Sequence, residues 1–415
     1  MVDTDTSESA AVEAPPYRFV IYALVVLMHL MLGIAFLAPA SVLPLVMESY
    51  DLTRSEGGFA VTSITLVFTA VTIPAAIIVT RWNIRPVFGV GWALLGVTAL
   101  TPFLSGFWWF IVLRSVQGVG AGAIVPLTAS IIMRWAPPRE VPIVNAVALA
   151  SITVGLAVAQ YLGPPLAGWI NWEWAIGIEG IVAAAGAVLF VVLWREREAL
   201  GGVPPEPVKI GAILSVFRRR ETWLMSFAVT GPWAQFITLN TWLPSYYEEE
   251  RGLSLAAAGL MAGIFSLAGA PANIIGGIVT TFVGRRRPVI IWSGLIIGAA
   301  GITTIYAPAG ILLLTAVVVA GFLHWIYEPS LFTIPIELPG SSPERAGAIW
   351  ASILTAGNAS SFIAPIIAGF IIDETGSFLI GIGVVCATSF TLFIAGVLLP
   401  ETGPGRLNTP QGART

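Results

Sequence analysis

The chain has 415 residues, of which 56% are hydrophobic and 10% charged, with a mean hydropathy of +0.87 and a formal net charge of −3. A water-soluble domain carries about a quarter charged residues, so this composition excludes one and requires a lipid solvent. The acidic balance and the scatter of basic residues in short clusters exclude nucleic acid as a partner, and the single cysteine, Cys386, excludes an intramolecular disulfide.

Residues 1–19 form a short tail with Asp3, Asp5, Glu8 and Glu13 where a signal peptide would be basic, so the first apolar run is expected to stay in the mature protein. Apolar runs of about 20 residues span a bilayer as helices. Twelve follow, near 20–46, 57–80, 86–104, 107–133, 141–168, 174–194, 223–247, 255–281, 288–306, 309–334, 345–372 and 377–399. Residues 20–194 make one six-helix bundle and 223–399 a second, with a tail at 400–415. The connection 195–222 holds Gly201-Gly202 and Pro204-Pro205 and reads as a linker. Its stretch Ile210–Phe217, before three arginines, reads either as a solvated segment or as a short amphipathic surface helix.

Placing both termini in the cytoplasm puts 17 of the 20 Lys and Arg on that side, leaving Arg54 and Arg251 in outer loops and Arg114 inside a span. A wrong helix count would scatter these charges, so the asymmetry supports count and orientation together. The expected location is a cell (inner or plasma) membrane.

The halves echo each other. Leu43-Pro44 matches Leu243-Pro244, Arg85-Pro86-Val87 matches Arg287-Pro288-Val289, and Gly163-Pro164-Pro165-Leu166-Ala167-Gly168 is echoed by Ala364-Pro365-Ile366-Ile367-Ala368-Gly369, at offsets of 200 to 202. The fourth span carries Arg114-Ser115-Val116-Gln117-Gly118, and Trp172-Glu173-Trp174 opens the sixth. Two six-helix halves with these motifs resemble the major facilitator superfamily of secondary transporters, whose fourth span has an Arg-x-x-Gln-Gly pattern and whose fifth has Gly-Pro-x-x-Gly-Gly. The fold that this resemblance implies is all-α, with two pseudo-symmetric bundles. The family's loop motif between spans 2 and 3 is degenerate here. Thr80-Arg81-Trp82-Asn83-Ile84-Arg85 lacks its acid and glycine, and the counterpart at Gly277, Thr281 and Gly284-Arg285-Arg286 keeps glycines and arginines but also lacks the acid. In the family that acid joins a charge relay that latches the halves, so gating by such a latch is in question for this chain.

A charge at the bilayer centre costs about 2.5 to 3.5 kcal/mol or more, so intramembrane polar groups are candidate sites. They are His29 in span 1, Arg114 in span 4, Glu179 near the outer end of span 6, and His324 with Glu328 in span 10. The resemblance implies that spans 1, 4, 7 and 10 line the central cavity. His324 and Glu328, four apart, share a helical face and are expected to pair as a proton-coupling unit; alternatively Glu328 pairs with inner-loop arginines. Arg114 either offers a positive charge to an anionic substrate, with Gln117 beside it, or hydrogen-bonds carbonyls and holds the first half together. His29 is either a substrate ligand or bonded to a neighbour. Trp233, Gln235 and Asn240 in span 7 and Asn358 in span 11 complete the candidates, and suit a small planar or carboxylate solute.

Trp108, Trp109, Trp172, Trp174 and Trp242 are expected as membrane-interface anchors. The pairs Gly118/Gly122, Gly259/Gly263 and Gly294/Gly298 are expected to allow close helix packing. Metal-ligand clusters, nucleophile constellations and phosphate loops are lacking, so neither an enzyme nor a cofactor is expected. The function expected is transport of a small organic anion or carboxylate with protons, by alternating access and as a monomer. Two alternatives stand beside it: a proton-driven efflux antiporter for lipophilic drugs, and a non-transporting receptor that kept the fold.

Overall fold

The computed structural model describes residues 15–78, 83–137, 139–196 and 216–404. Arg81, residues 197–215 with most of the candidate surface helix, and the tails 1–14 and 405–415 lie outside the described residues.

In hydrocarbon each backbone N–H and C=O must be satisfied within its own segment, and so apolar a chain answers with long helices. Span 1 is Arg18–Ser41, continued after a break at Val42 by Leu43–Tyr50. Span 2 is Arg54–Ile78, and span 3 is Ile84–Leu95 prolonged as a 3-10 helix over Gly96–Phe103. Spans 4, 5 and 6 are Phe107–Trp135, Val141–Trp169 and Trp172–Leu193. The second half runs through Arg220–Glu249, Leu255–Val283 and Arg286–Tyr306 as spans 7 to 9. Span 10 is Ile311–Trp325 plus Glu328–Glu337, span 11 is Pro343–Thr375, and span 12 is Phe378–Thr388 plus Phe390–Leu398.

Ten of these rods are long and apolar enough to cross a membrane. The remaining two, spans 2 and 7, are 25 and 30 residues long and run among them. Span 7 is the polar one, with Thr222, Gln235, Thr238, Asn240 and Thr241 all buried. The break in span 10 has a local cause. Pro329 has no N–H for the carbonyl of Trp325, four residues back, and its ring crowds that carbonyl. Spans 8 and 11 end on Gly284 (φ 64°) and Gly376 (φ 66°), left-handed positions that favour glycine.

Small residues set how closely helices approach. A Cβ on Gly155 of span 5 would lie 2.1 Å from the carbonyl oxygen of Leu30 in span 1, and one on Gly33 would lie 2.1 Å from that of Ile152. The anticipated glycine pairs pack in the same way: Gly118 meets Ile64 O, Gly259 meets Gln160 O and Gly294 meets Phe393 N, at 2.7, 2.5 and 2.2 Å for the added Cβ.

Both ends of the described chain emerge at one face, here called the tail face. Two charged clusters there are internal to their halves. Arg18 Nε and Nη2 donate to Glu140 (3.0 and 3.2 Å), which also accepts from the Tyr22 hydroxyl; Arg286 forks onto Glu337, with its shortest bond 2.6 Å. The hydrogen bond from Arg18 holds the Glu140 carboxyl below the ordinary carboxylate range, so this half-buried clamp persists through that range and is lost only as pH falls below it.

Contacts between the halves gather toward the opposite face. Span 2 meets span 11 where Gly58 faces Pro365 O, Gly369 faces Arg54 O, and Thr62 Oγ1 donates to Phe362 O (3.0 Å). On the other seam span 5 meets span 8, with Pro164 against Gly259 and Ala157 O against Gly263. Nearer the tail face Leu66 of span 2 and Leu354 of span 11 are exposed. The halves therefore enclose a crevice closed at the opposite face and open at the tail face.

Trp108 and Trp109 are exposed, as interface anchors would be. Trp242 and Trp172 are not. Trp242 is fully buried and donates to Pro365 O (3.0 Å), and Trp172 is buried with its indole N–H on Ser49 Oγ (2.8 Å), because each faces a neighbouring helix whose polar atom needs a donor.

Gly155→Val overpacks the span 1–span 5 crossing against backbone that cannot yield, at a cost of about 1–3 kcal/mol. A lowered midpoint of thermal unfolding in detergent is the expected readout. Gly277→Ala, where nothing lies within 4 Å of an added Cβ, should leave the midpoint unchanged or raised.

Candidate functional site

Several polar candidates are consumed by helix packing. The Arg114 guanidinium, wholly buried, donates to Ala35 O and Phe36 O of span 1, Val61 O of span 2 (2.7 Å) and Gln117 Oε1 (2.8 Å). Gln117 passes the bond on to Leu95 O (2.9 Å) and Thr98 Oγ1 (3.1 Å) of span 3. One fork thus ties four helices of the first half. Arg114 and Gln117 share with Glu179 and Thr98 the lining of a cavity of about 10 Å³, room for about one water.

His29 is buried, with Nδ1 2.8 Å from Val25 O on its own helix, so that nitrogen carries the proton. Gln235 bonds Ile297 O (3.1 Å) in span 9 and accepts from Ser389 Oγ (2.5 Å) in span 12. Asn240 bonds Phe236 O and accepts from Ser266 Oγ in span 8, while its own carbonyl accepts from Gln160 Nε2 of the first half (2.8 Å). These amides sit too deep for a solute to reach.

The anticipated pairing of His324 with Glu328 does not form. The Pro329 break falls between them, so they do not share one continuous helical face. His324 turns into the second half, buried against Phe236 and Trp325 (ring centroids 5.0 and 6.0 Å), and its Nε2 has no partner among the described residues. Glu328 turns instead to span 7, where Oε1 accepts from Trp233 Nε1 (3.1 Å).

Trp233 and Glu328 do converge, and span 11 packs on the indole one residue before Asn358. All three are half-buried, and Gly357, next to Asn358 on span 11, lies flat against the Trp233 ring, where an added Cβ would come within 2.4 Å. Spans 7 and 10 thereby join an indole to a carboxyl, with the backbone of span 11 against the indole. No guanidinium or ammonium bonds that carboxyl among the described residues. Tyr327, beside it, was not singled out in the sequence; its hydroxyl is buried without a hydrogen-bond partner among the described residues, and a buried hydroxyl next to an acid was its available signal.

The motif residues serve the scaffold in this state. Gly163 packs on Ser41 Oγ, Pro164 on Gly259, and Pro365 O receives Trp242, while nothing lies within 4 Å of a Cβ on Gly168. Arg85 reaches Val191 O (2.8 Å), and Arg285 precedes span 9. Besides its fork, Arg286 donates through Nη1 to Thr280 O (2.9 Å).

The probable L-galactonate transporter of Escherichia coli is 27% identical over 399 residues, covering 86% of this chain and 84% of that protein. The probable sulfoacetate transporter of Cupriavidus necator is 23% identical, covering 81% and 83%. The hexuronate transporter of Bacillus subtilis is 21% identical, covering 81% and 83%. A bacterial homologue of the human lysosomal transporter Spinster, solved inward-facing and occupied, superposes with a TM-score of 0.76 over 92% of this chain and 96% of that one, at 18% identity. The family model of the Major Facilitator Superfamily matches residues 24–365. With that match across both bundles, the chain belongs to the Major Facilitator Superfamily.

Proposed function

We propose that the protein moves a small organic anion across the membrane together with a proton, by alternating access between its two halves. The relatives named for galactonate, sulfoacetate and hexuronate support the anion. The tail face is cytoplasmic on the distribution of Lys and Arg, which makes this state inward-open. The observation that carries the coupling is Glu328, a crevice carboxyl with one indole donor and no cation bonded to it among the described residues.

Electrostatics does the rest. An anionic substrate and a carboxylate a few ångströms apart repel by several kcal/mol in a low-dielectric site, so the anion enters once Glu328 has taken a proton. The protonated carboxyl then donates where the carboxylate would have repelled. Trp233 offers an apolar face and Asn358 an amide to the rest of the solute. Release of proton and anion are thereby linked, because the departure of either makes the other's stay unfavourable. Arg114 holds the first bundle in this reading and stays out of contact with substrate.

A second reading, export of lipophilic cations, is favoured by the same unpaired carboxyl, which would attract a cation directly. Liposomes holding a pH-sensitive dye, given sugar acids and small carboxylates or lipophilic cations, separate the two. Proton movement with the acids alone supports anion coupling, and movement with the cations alone overturns it.

A one-unit pH gradient driving one proton sustains about a tenfold solute ratio, one unit being about 1.36 kcal/mol. Glu328→Gln should bring that ratio to about one while exchange of labelled for unlabelled substrate persists; gradient-driven accumulation in the variant would exclude Glu328 as the coupling group. Arg114→Gln leaves buried carbonyls unpaired and should cost about 2 kcal/mol or more in stability with substrate KM unchanged in the folded fraction. Thermal unfolding and initial-rate uptake check it, and a raised KM without lost stability would return Arg114 to the site.

A further inference from the structure

Two seams join the halves, and among the described residues only the span 2–span 11 seam carries charge. Span 2 opens with a box in which the Thr53 hydroxyl accepts from Glu56 N (3.2 Å) and Glu56 accepts from Thr53 N (2.9 Å). The next two amides, Arg54 N and Ser55 N, have no acceptor from their own half. They donate to the two oxygens of Asp373 near the end of span 11, at 3.1 Å each. The Arg54 side chain follows the same path: Nη2 meets Glu249 at the end of span 7 (2.5 Å), Nη1 lies 4.0 Å from Asp373, and the guanidinium stands 4.9 Å from the centre of the Phe378 ring. Every one of these partners belongs to the second half. Directly beneath, Gly369 lets the Arg54 carbonyl close in.

The other seam is built differently. Span 8, the counterpart of span 2, is capped by its own Ser254, which accepts from Ala257 N (3.3 Å), and it meets span 5 through Gly259 and Pro164 without an ion pair among the described residues. Both helices have a cap of their own, Thr53 and Ser254, but the two span 2 amides held by Asp373 lose their acceptor when the halves part.

We propose that Asp373, through the first amides of span 2, and Glu249, through the Arg54 side chain, form the latch that holds the opposite face shut and so sets the balance between the two access states. This rests on the alternating-access reading. Opening that face must break two charge-assisted amide bonds and an ion pair at the span 2–span 11 seam, against close packing of Gly259 on Pro164 at the other. Because two states of a transporter differ by a few kcal/mol, removing such a lock shifts their ratio measurably.

Water access at two reporter cysteines on span 11 tests this without any substrate. Cys386 is buried, so the native chain supplies the background. Phe362→Cys lies below the latch, where Phe362 meets Phe59 across the seam (centroids 6.1 Å), and Leu354→Cys lies in the exposed part nearer the tail face. In lipid nanodiscs, with both faces accessible to maleimide, Asp373→Ala should speed labelling at 362 on the order of tenfold and slow it at 354. Glu249→Gln, which keeps the Asp373 bonds to the span 2 amides, should move both rates the same way by less. Unchanged rates at both positions in both variants would overturn the latch, as would faster labelling at both, which signals a loosened fold. If the reciprocal shift appears while anion uptake fails, the latch stands and the substrate assignment falls.

Discussion

A bilayer interior supplies no hydrogen-bond partner, so each polar side chain in this molecule must be answered by protein or by the crevice. That constraint sorts the candidates. Arg114, Gln117, Gln235 and Asn240 are answered by helix carbonyls or hydroxyls and become struts. Arg114 in particular binds the carbonyls of two other helices, which a point charge such as lysine would not reproduce, since the planar fork reaches several acceptors at once. What remains half-buried and little bonded, Glu328 beside Trp233 and Asn358 on span 11, is left for a solute.

The site depends on a break in a helix. Were span 10 continuous, His324 and Glu328 would stack on one face, and two titratable groups would share one environment. Pro329 stops the helix at Trp325 and restarts it at Glu328, so the histidine is packed against Phe236 and the acid is handed to Trp233. One ring without an N–H thus separates a packing residue from the group proposed to carry the proton.

The architecture was readable in the chain because its signals are redundant: apolar length, the 200-residue echo and the family motifs all speak to the same fold. The site was less readable, for a physical reason. A polar residue in an apolar run marks a need for a partner, and the same mark is left by a strut and by a binding group. Gln235 and Asn358 look alike in sequence, yet one is bonded to spans 9 and 12 and the other is half-buried on span 11 next to Gly357. Trp242 was misplaced likewise, since an indole suits an interface and a buried carbonyl equally well. The pairing at positions 324 and 328 was read from spacing alone, and Pro329, plainly visible, was the signal against it.

The two faces of the molecule are locked by different chemistry, and the difference follows from what the loop motifs have lost. Where the resembled family places an acid between spans 2 and 3, this chain has none, and its tail-face acids serve their own bundles: Glu140 for Arg18, Glu337 for Arg286, and Glu401 for the first amides of span 9, the nearest at 2.7 Å. Acids that tie each half internally cannot also tie the halves together. On the opposite face Asp373 and Glu249 reach across the seam to Arg54. A chain with cross-half charge pairing at one face and self-satisfied charges at the other rests with the second face open, which is the state its own contacts describe. Substrate binding then has to draw the unlatched face together, through contacts to both halves that strengthen as the crevice narrows.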